Sequence, residues 1–311
     1  MKHPDPIAFV TRYSPTRWLE ALRFAMSHER IETIDRLPSA ERSRVRLAIV
    51  ANPDPADLAA LPALEWVHST WAGVERLVAE LPPSLPIVRL TDPQLAETMA
   101  EAVLTATLWL HRHGPLYARQ QRERRWDAHD LPLPSERRVS ILGLGRLGTR
   151  AAERLRTNGF TVAGWSRTPR AFLGVETHHG AEGLHRALHA DIVVSLLPHT
   201  PQTESLLGAD AFAAMPPGAS FVNFGRGATV DETALLGALD QGQIDHALLD
   251  VFAAEPLPSE HPFWSHERVT VWPHVSSPTN KRTASAVIAG AIARWRETGA
   301  IPEAVDRSRG Y

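Results

Sequence analysis

Short, continuous apolar runs alternate with helix-length amphipathic segments along most of the chain. Residues 7–11, 45–50, 66–69 and 86–90 read as strands. A helix opened by Ser14-Pro15 runs to about Ser27, with proline early in the helix, where its missing N–H is harmless. Residues 92–113 form a long helical pattern with Leu95, Met99, Val103, Ala106 and Leu110 on one face. A second series follows, with strands at 139–142, 161–165, 191–197, 220–223, 247–251 and 269–272. Helical patterns separate them at 147–158, 182–188, 209–215 and 232–241, and a last helix, 280–298, stops at Gly299. Strands spaced by helices imply parallel sheets covered on both faces. The expected fold is α/β, with two doubly wound parallel-sheet domains.

Between the two series, residues 117–138 carry Arg119, Arg122, Arg124, Arg125, Arg137 and Arg138. Glu123, Asp127, Asp130 and Glu136 are interspersed with them, so the stretch reads as a solvated helix end and passage into the second domain rather than an anion-binding patch.

Composition narrows the chemistry. The 311 residues include no cysteine, which removes disulfides, thiol nucleophiles and Cys-ligated metals. Of 33 basic residues only Lys2 and Lys281 are lysine, and neither stands in a phosphate-loop motif. Arginine is therefore so common that its type alone says nothing; position has to. A net charge of −2 argues against nucleic-acid binding. The longest strongly apolar stretches, such as 102–110, are far short of the ~20 residues that cross a bilayer. The first residues, MKHPDPIAFV, lack the apolar core of a secretion signal, so a cytoplasmic protein without membrane or nucleic-acid partners is expected. His111, His113, His178 and His179 have no partners at metal-ligand spacing and are expected to be exposed; no metal site is expected.

The segment Val139-Ser-Ile-Leu-Gly143-Leu-Gly145-Arg146-Leu147-Gly148 sets G-x-G-x-x-G directly after a strand and into a helix. Gly143 suits the tight turn, Gly145 the close approach of a pyrophosphate, and Gly148 close helix–strand packing. The helix start offers free N–H groups to the phosphates. The next strand ends in Trp165-Ser166-Arg167-Thr168, with no acid to hold a ribose 2′-hydroxyl. Ser166 and Thr168 supply hydroxyls and Arg167 a forked cation suited to a 2′-phosphate, so NADPH is expected in preference to NADH. Arg170 is a weaker second candidate.

Three segments place polar residues just past strand ends, where open parallel sheets bind ligands: 220–232 with Asn223 and Arg226, 249–258 with Asp250 and Glu255, and 271–277 with His274 and Ser276. With the loop Leu196-Leu197-Pro198-His199-Thr200-Pro-Gln-Thr203, these make the chain resemble the D-2-hydroxyacid dehydrogenase family over nearly its whole length. It is most similar to the glyoxylate/hydroxypyruvate reductase A branch, through the turn at 165–168 and the C-terminal segment 305–311.

The resemblance implies a flavodoxin-like substrate domain, 1–98 with 280–311, and a Rossmann cofactor domain, 99–279. It implies a homodimer and domains that close over a small 2-keto acid. Arg226 would hold the substrate carboxylate, His274 would donate the proton, and Glu255 would pair with His274 and raise its pKa. Leu197, Pro198, Thr203, Asn223, Phe224, Gly225, Asp250 and Ser276 would lie along the cofactor, with Asp250 near the nicotinamide amide. The loop holding Trp71, Ala72 and Gly73 would bind the carboxylate through backbone N–H groups. Thr98 and Met99 are further candidates to touch either ligand.

The chain departs from the family pattern in three places. Trp71 stands where relatives often carry glycine, and either walls the pocket or packs between domains. Gly225 replaces a frequent Ala or Ser, and Ser276-Ser277 stand where smaller residues are common. Related activities on larger or phosphorylated substrates, or a non-catalytic dinucleotide sensor, are the alternatives; the intact Arg226/Glu255/His274 set speaks against the sensor.

Overall fold

A computed structural model describes residues 5–307. The C-terminal segment 305–311 is thus seen only to Arg307, and Lys2 and residues 308–311 lie outside the described residues. The chain divides into two compact units, one holding the residues up to Gln94 and from Thr279 onward, the other Leu95–Pro278. The first division falls within a helix, so a boundary in sequence is not a break in secondary structure.

The first unit runs β1 (Ile7–Thr11), α1 (Thr16–Ala25), β2 (Ile31–Thr33), α2 (Ser39–Arg42), β3 (Leu47–Ala51), α3 (Pro55–Ala59), β4 (Trp66–Ser69), α4 (Glu75–Glu80) and β5 (Ile87–Val88). Its five strands are all parallel, in the order β2-β1-β3-β4-β5, the flavodoxin-like arrangement. β3 is buried along its whole length, which is why it reads as an unbroken apolar run. One face of the sheet packs on α1 and the C-terminal helix, Lys281–Thr298, through Leu19, Leu22, Ile288, Ile292 and Trp295. Asn280 caps that helix by accepting from the N–H groups of Arg282 and Thr283, and Gly299 ends it at φ 71°. The buried Glu29 carboxylate is held by both arms of Arg296 at 2.9 and 3.0 Å. Arg307 donates to the carbonyls of Val78, Leu81, Pro82 and Leu85, tying the chain end to α4 and the turn after it.

The second unit is built on α5 (Pro93–His111), α6 (Gly114–Glu123), β6 (Arg138–Leu142), α7 (Arg146–Thr157), β7 (Thr161–Ser166), β8 (Glu176–His179), α8 (Gly180–Leu188), β9 (Ile192–Ser195), α9 (Ala209–Ala213), β10 (Ala219–Asn223), α10 (Glu232–Asp240), β11 (Ile244–Leu249) and β12 (Val269–Val271). Seven parallel strands lie in the order β12-β11-β10-β9-β6-β7-β8, the Rossmann order with a strand added. Gly148, Ala151, Ala152 and Leu155 form the buried stripe of α7, spaced to fall on one helix face.

Several local expectations are corrected. Residues 114–123 are a helix, where a passage beginning at 117 was expected. β2 and β8 were missed, the first for its three-residue length and the second because Glu-Thr-His-His is polar, as an edge strand can be. His111 is buried rather than exposed, packing edge-on against Phe160 at 5.3 Å. Met99 lies in the apolar core with Val103 and Ile141.

Two further histidines are buried in strands. His68 lies within β4, and burial pushes its pKa down to about 4. His246, on β11, bonds through Nε2 to Thr270 Oγ1 at 2.9 Å. Burial first, then the charges of Arg119 and Arg268, push it down to about 3. No helix among the described residues is long and apolar enough to cross a membrane.

A depressed folded pKa means that the unfolded chain binds protons first. The folded state therefore keeps its full stability above pH 6.5 and loses it as pH falls toward 3. His246→Gln is expected to remove on the order of 3 kcal/mol of this acid sensitivity, seen as a flatter dependence of urea-unfolding stability on pH between 6.5 and 4.

Candidate active site

The strands β10, β11 and β12 set the frame, since Asn223, Leu249 and Val271 lie level with one another across the three. Each strand then runs into a turn at the C-terminal edge of the sheet. Past β10, the buried Asn223 holds its turn closed: Oδ1 accepts from the Gly225 N–H at 3.1 Å, and Nδ2 donates to the Arg226 carbonyl at 3.1 Å. Arg226 emerges from this turn half-buried, with its guanidinium also donating to the Gly225 carbonyl at 2.8 Å. Gly225 has a steric reason here, because a Cβ would press into the backbone of Leu196 and Leu197.

Past β11, Asp250 is fully buried, and its carboxylate accepts from the N–H groups of Val275 at 2.7 Å and Ser276 at 2.9 Å. The Asp250 carbonyl accepts from the His274 N–H at 3.0 Å. Three bonds thus hold the turn after β12 and keep His274 at φ 53°, a left-handed conformation uncommon for residues other than glycine.

That backbone aims the His274 ring at Glu255, with Nδ1 to Oε2 at 2.7 Å. The other Glu255 oxygen accepts from the Phe252 N–H at 3.0 Å, so the carboxylate is fixed from both sides. The hydrogen bond to Glu255 raises the His274 pKa, outweighing burial and the nearby Arg226 charge, which lower it. Burial disfavours the Glu255 carboxylate, yet the bonds from His274 and Phe252 and the charges of His274 and Arg226 together hold its pKa below the ordinary value. With Nδ1 committed to Glu255, Nε2 is the ring atom left to exchange a proton, and about half of the side chain is exposed.

On the same sheet edge, Gly143 takes φ 105° and its N–H donates to the Trp165 carbonyl at 2.8 Å. A Cβ at Gly148 would fall on the Gly143 carbonyl, so only glycine lets α7 pack this close to the turn. A Cβ at Gly145, by contrast, would meet nothing within 4 Å, and no side chain caps the start of α7. The loop therefore leaves open space in front of uncapped N–H groups, which fits a dinucleotide pyrophosphate. Arg146 and Gly145 are exposed at this start, while Leu147 is half-buried.

At the end of β7, Ser166 is buried and donates to the Thr168 carbonyl at 2.8 Å, shaping the turn. Arg167 and Thr168 are exposed on it, and the Arg167 guanidinium makes no hydrogen bond or ion pair among the described residues. Thr203 closes the 198–203 loop on itself, donating to the Pro198 carbonyl at 2.6 Å and accepting from the Thr200 N–H at 2.8 Å. Leu197 is buried beneath that loop. Phe224 stacks on Trp272 at 5.3 Å.

In the first unit, Trp71 follows β4, and its N–H already donates to Ser69 Oγ at 3.0 Å. Ala72 and Gly73 are left as the N–H donors of that loop. Sequence reasoning missed Phe252 and Trp272, which act through a backbone N–H and a ring stack that residue type does not announce. Both oxygens of Asp250 hold the turn bearing His274.

Comparison with known proteins matches residues 104–276 to the model of the D-isomer specific 2-hydroxyacid dehydrogenase NAD-binding domain. Among solved structures, a D-isomer specific 2-hydroxyacid dehydrogenase from Xanthobacter autotrophicus Py2, in complex with NADPH and MES, is 39% identical with a TM-score of 0.92, covering 99% of this chain and 100% of its own. An NADPH-dependent glyoxylate/hydroxypyruvate reductase from Sinorhizobium meliloti, in complex with NADP and sulfate, is 32% identical with a TM-score of 0.91 over the same shares. A probable 2-hydroxyacid dehydrogenase from Rhizobium etli CFN 42, in complex with NADP, HEPES and L(+)-tartaric acid, is 31% identical with a TM-score of 0.88, covering 98% of this chain and 99% of its own.

Asp250→Ala leaves the buried Ser276 N–H and the part-buried Val275 N–H without an acceptor. It is expected to destabilise the protein by about 2–5 kcal/mol in denaturant unfolding and to abolish turnover, although the Glu255 and His274 side chains are retained.

Proposed function

The chain belongs to the D-isomer specific 2-hydroxyacid dehydrogenase family, and from that premise we propose that it is an NADPH-dependent reductase of small 2-keto acids, with glyoxylate and hydroxypyruvate as its substrates. The observation that carries this reading is the 2.7 Å His274–Glu255 pair with the Arg226 charge bearing on both members.

When bound, NADPH supplies the hydride; Gly143, Gly145, Arg146, Leu147 and Gly148 would hold its pyrophosphate and Arg167 its 2′-phosphate. Arg226 grips the substrate carboxylate in a forked pair and polarises the adjacent carbonyl. His274 gives its Nε2 proton to the oxygen as negative charge develops there, and Glu255 stabilises the imidazolium before that transfer and fixes the tautomer after it. The half-exposed ring then recovers a proton from solvent.

NADPH use is supported by the unpartnered Arg167, by the absence of an acid at the β7 turn, and by relatives crystallised with NADPH or NADP. The substrate choice is supported by the S. meliloti relative. A homodimer is supported by the exposed apolar side chains of Leu108, Trp109, Tyr117, Trp126, Leu131 and Leu133, a surface that a monomer would leave wet.

The test follows NADPH and NADH oxidation with glyoxylate and hydroxypyruvate. Turnover of neither keto acid with NADPH sinks the reading. His274→Ala is expected to lose at least about 10²-fold in kcat while still binding NADPH. In the active enzyme, kcat/KM falls as pH rises through a pKa above 6.5, because only protonated His274 serves; Glu255→Gln moves that fall to lower pH. Arg167→Ala is expected to lower kcat/KM for NADPH by about 10- to 100-fold and to leave that for NADH within about twofold.

A further inference from the structure

Glu255 meets His274 through one oxygen and is fixed through the other by the Phe252 N–H. That fix is only as firm as the backbone that carries the N–H, and residues 253–256 are exposed. The next amide shows what holds them. The Ala253 N–H donates to Glu232 Oε1 at 3.1 Å. Glu232 is the first residue of α10, whose start is capped by Asp231 accepting from the Ala234 N–H at 3.0 Å. A carboxylate suits that end of a helix, and it leaves from a fixed backbone. Its other oxygen, Oε2, lies 3.4 Å from His261 Nε2. His261 Nδ1 accepts from the Phe263 N–H at 3.3 Å, so the ring proton sits on Nε2, facing Glu232. Both Glu232 oxygens thus meet protein groups, and the side chain is only 24% exposed.

The same peptide unit is braced twice more. A Cβ at Gly227, next to Arg226, would fall on the Phe252 carbonyl and the Ala253 nitrogen, so the turn after β10 presses directly on this backbone. The buried Phe252 ring packs on the buried Phe263 ring with centroids 6.3 Å apart, and the Phe263 ring lies 4.6 Å from that of His261. Glu232, His261, Phe263 and Phe252 close a circuit of contacts around the Ala253 amide. The mechanism gives Glu232 and His261 no task. The charges that bear most on Glu255 are those of His274 and Arg226, and on His274 those of Glu255, Arg226 and Asp250; Glu232 is not among them.

We propose that Glu232 is a positioning residue that, with His261 behind it, holds the Phe252–Ala253 backbone so that Glu255 stays against His274. It acts through Glu255 and carries no proton of the reaction itself. Its consequence for turnover rests on the keto-acid reading above; its hold on the Glu255–His274 pair does not. Without Glu232, the Ala253 N–H turns to water and the exposed loop gains freedom. Glu255 then spends less time against His274, and the imidazolium loses the partner that stabilises it. His274 gives up its proton at lower pH.

The experiment compares wild type, Glu232→Ala and Glu232→Gln by two readouts. The first is the titration of His274 in the free protein, followed by NMR on the imidazole resonance that His274→Ala lacks. The second is kcat/KM with NADPH and glyoxylate as a function of pH. Glu232→Ala is expected to lower both midpoints by about 0.5–1 pH unit and kcat by about three- to tenfold, with KM within about twofold. Glu232→Gln keeps an acceptor for the Ala253 N–H without the charge, and is expected to move the midpoints less than half as far. A loss of folded protein alone lowers kcat evenly at every pH and leaves both midpoints in place. Unmoved midpoints in Glu232→Ala overturn the proposal. So does a Glu232→Gln shift as large as that of Glu232→Ala, since the charge and not the bond is then the cause. If Glu232→Ala does not fold, His261→Asn takes its place: asparagine still caps the Phe263 N–H but is too short to reach Glu232. A smaller shift in the same direction is expected there, and none overturns the proposal. A wild type that reduces no 2-keto acid overturns the keto-acid reading, and the NMR titration still decides the role of Glu232.

Discussion

A carboxylate taken out of water must find its hydrogen bonds within the protein, and Asp250 finds them on the backbone of Val275 and Ser276. The placement of His274 against Glu255 follows from that. The two bonds, with the one from the His274 N–H to the Asp250 carbonyl, make the turn after β12 adopt a backbone that histidine would otherwise avoid. The ring then leaves the chain in the one direction that meets Glu255. Glu255 is met in place because the Phe252 N–H has fixed its other oxygen. A surface histidine and a surface glutamate would form a loose pair of little consequence. Here both are positioned by backbone, and the pair is held in one geometry.

The same logic runs across the sheet. Asn223, Leu249 and Val271 are level in register, so the three turns that follow begin from one line. Asn223 folds the first turn with its amide, as Asp250 holds the third with its carboxylate. Arg226, Glu255 and His274 are far apart in sequence and have no local reason to meet. Parallel pairing and two buried polar side chains bring their turns together at the sheet edge.

Much of this was legible in the residues. The two parallel sheets followed from unbroken apolar runs such as β3, whose every residue is buried. The close packing of α7 on the turn after β6 followed from a glycine with a steric task, since a Cβ at Gly148 would fall on the Gly143 carbonyl. What escaped has physical reasons. β2 is too short to show a period, and β8 is a polar edge. His111 and His246 are buried because their neighbours cover them, which composition does not reveal. Asp250 looks from sequence like any acid at a strand end; only the folded backbone shows which groups its oxygens serve. The bond from the Ala253 N–H to Glu232 spans 21 residues and leaves no mark in local pattern.

The contact of Gly148 with the Gly143 carbonyl has one more consequence. The turn is shaped by the protein packing on itself, so its conformational entropy is lost when the chain folds and not when a dinucleotide arrives. Affinity at this loop is then a property of the folded unit as a whole. A variant that weakens the second unit would release its dinucleotide abruptly, together with the unfolding transition, while one that remains folded would keep a full grip on it.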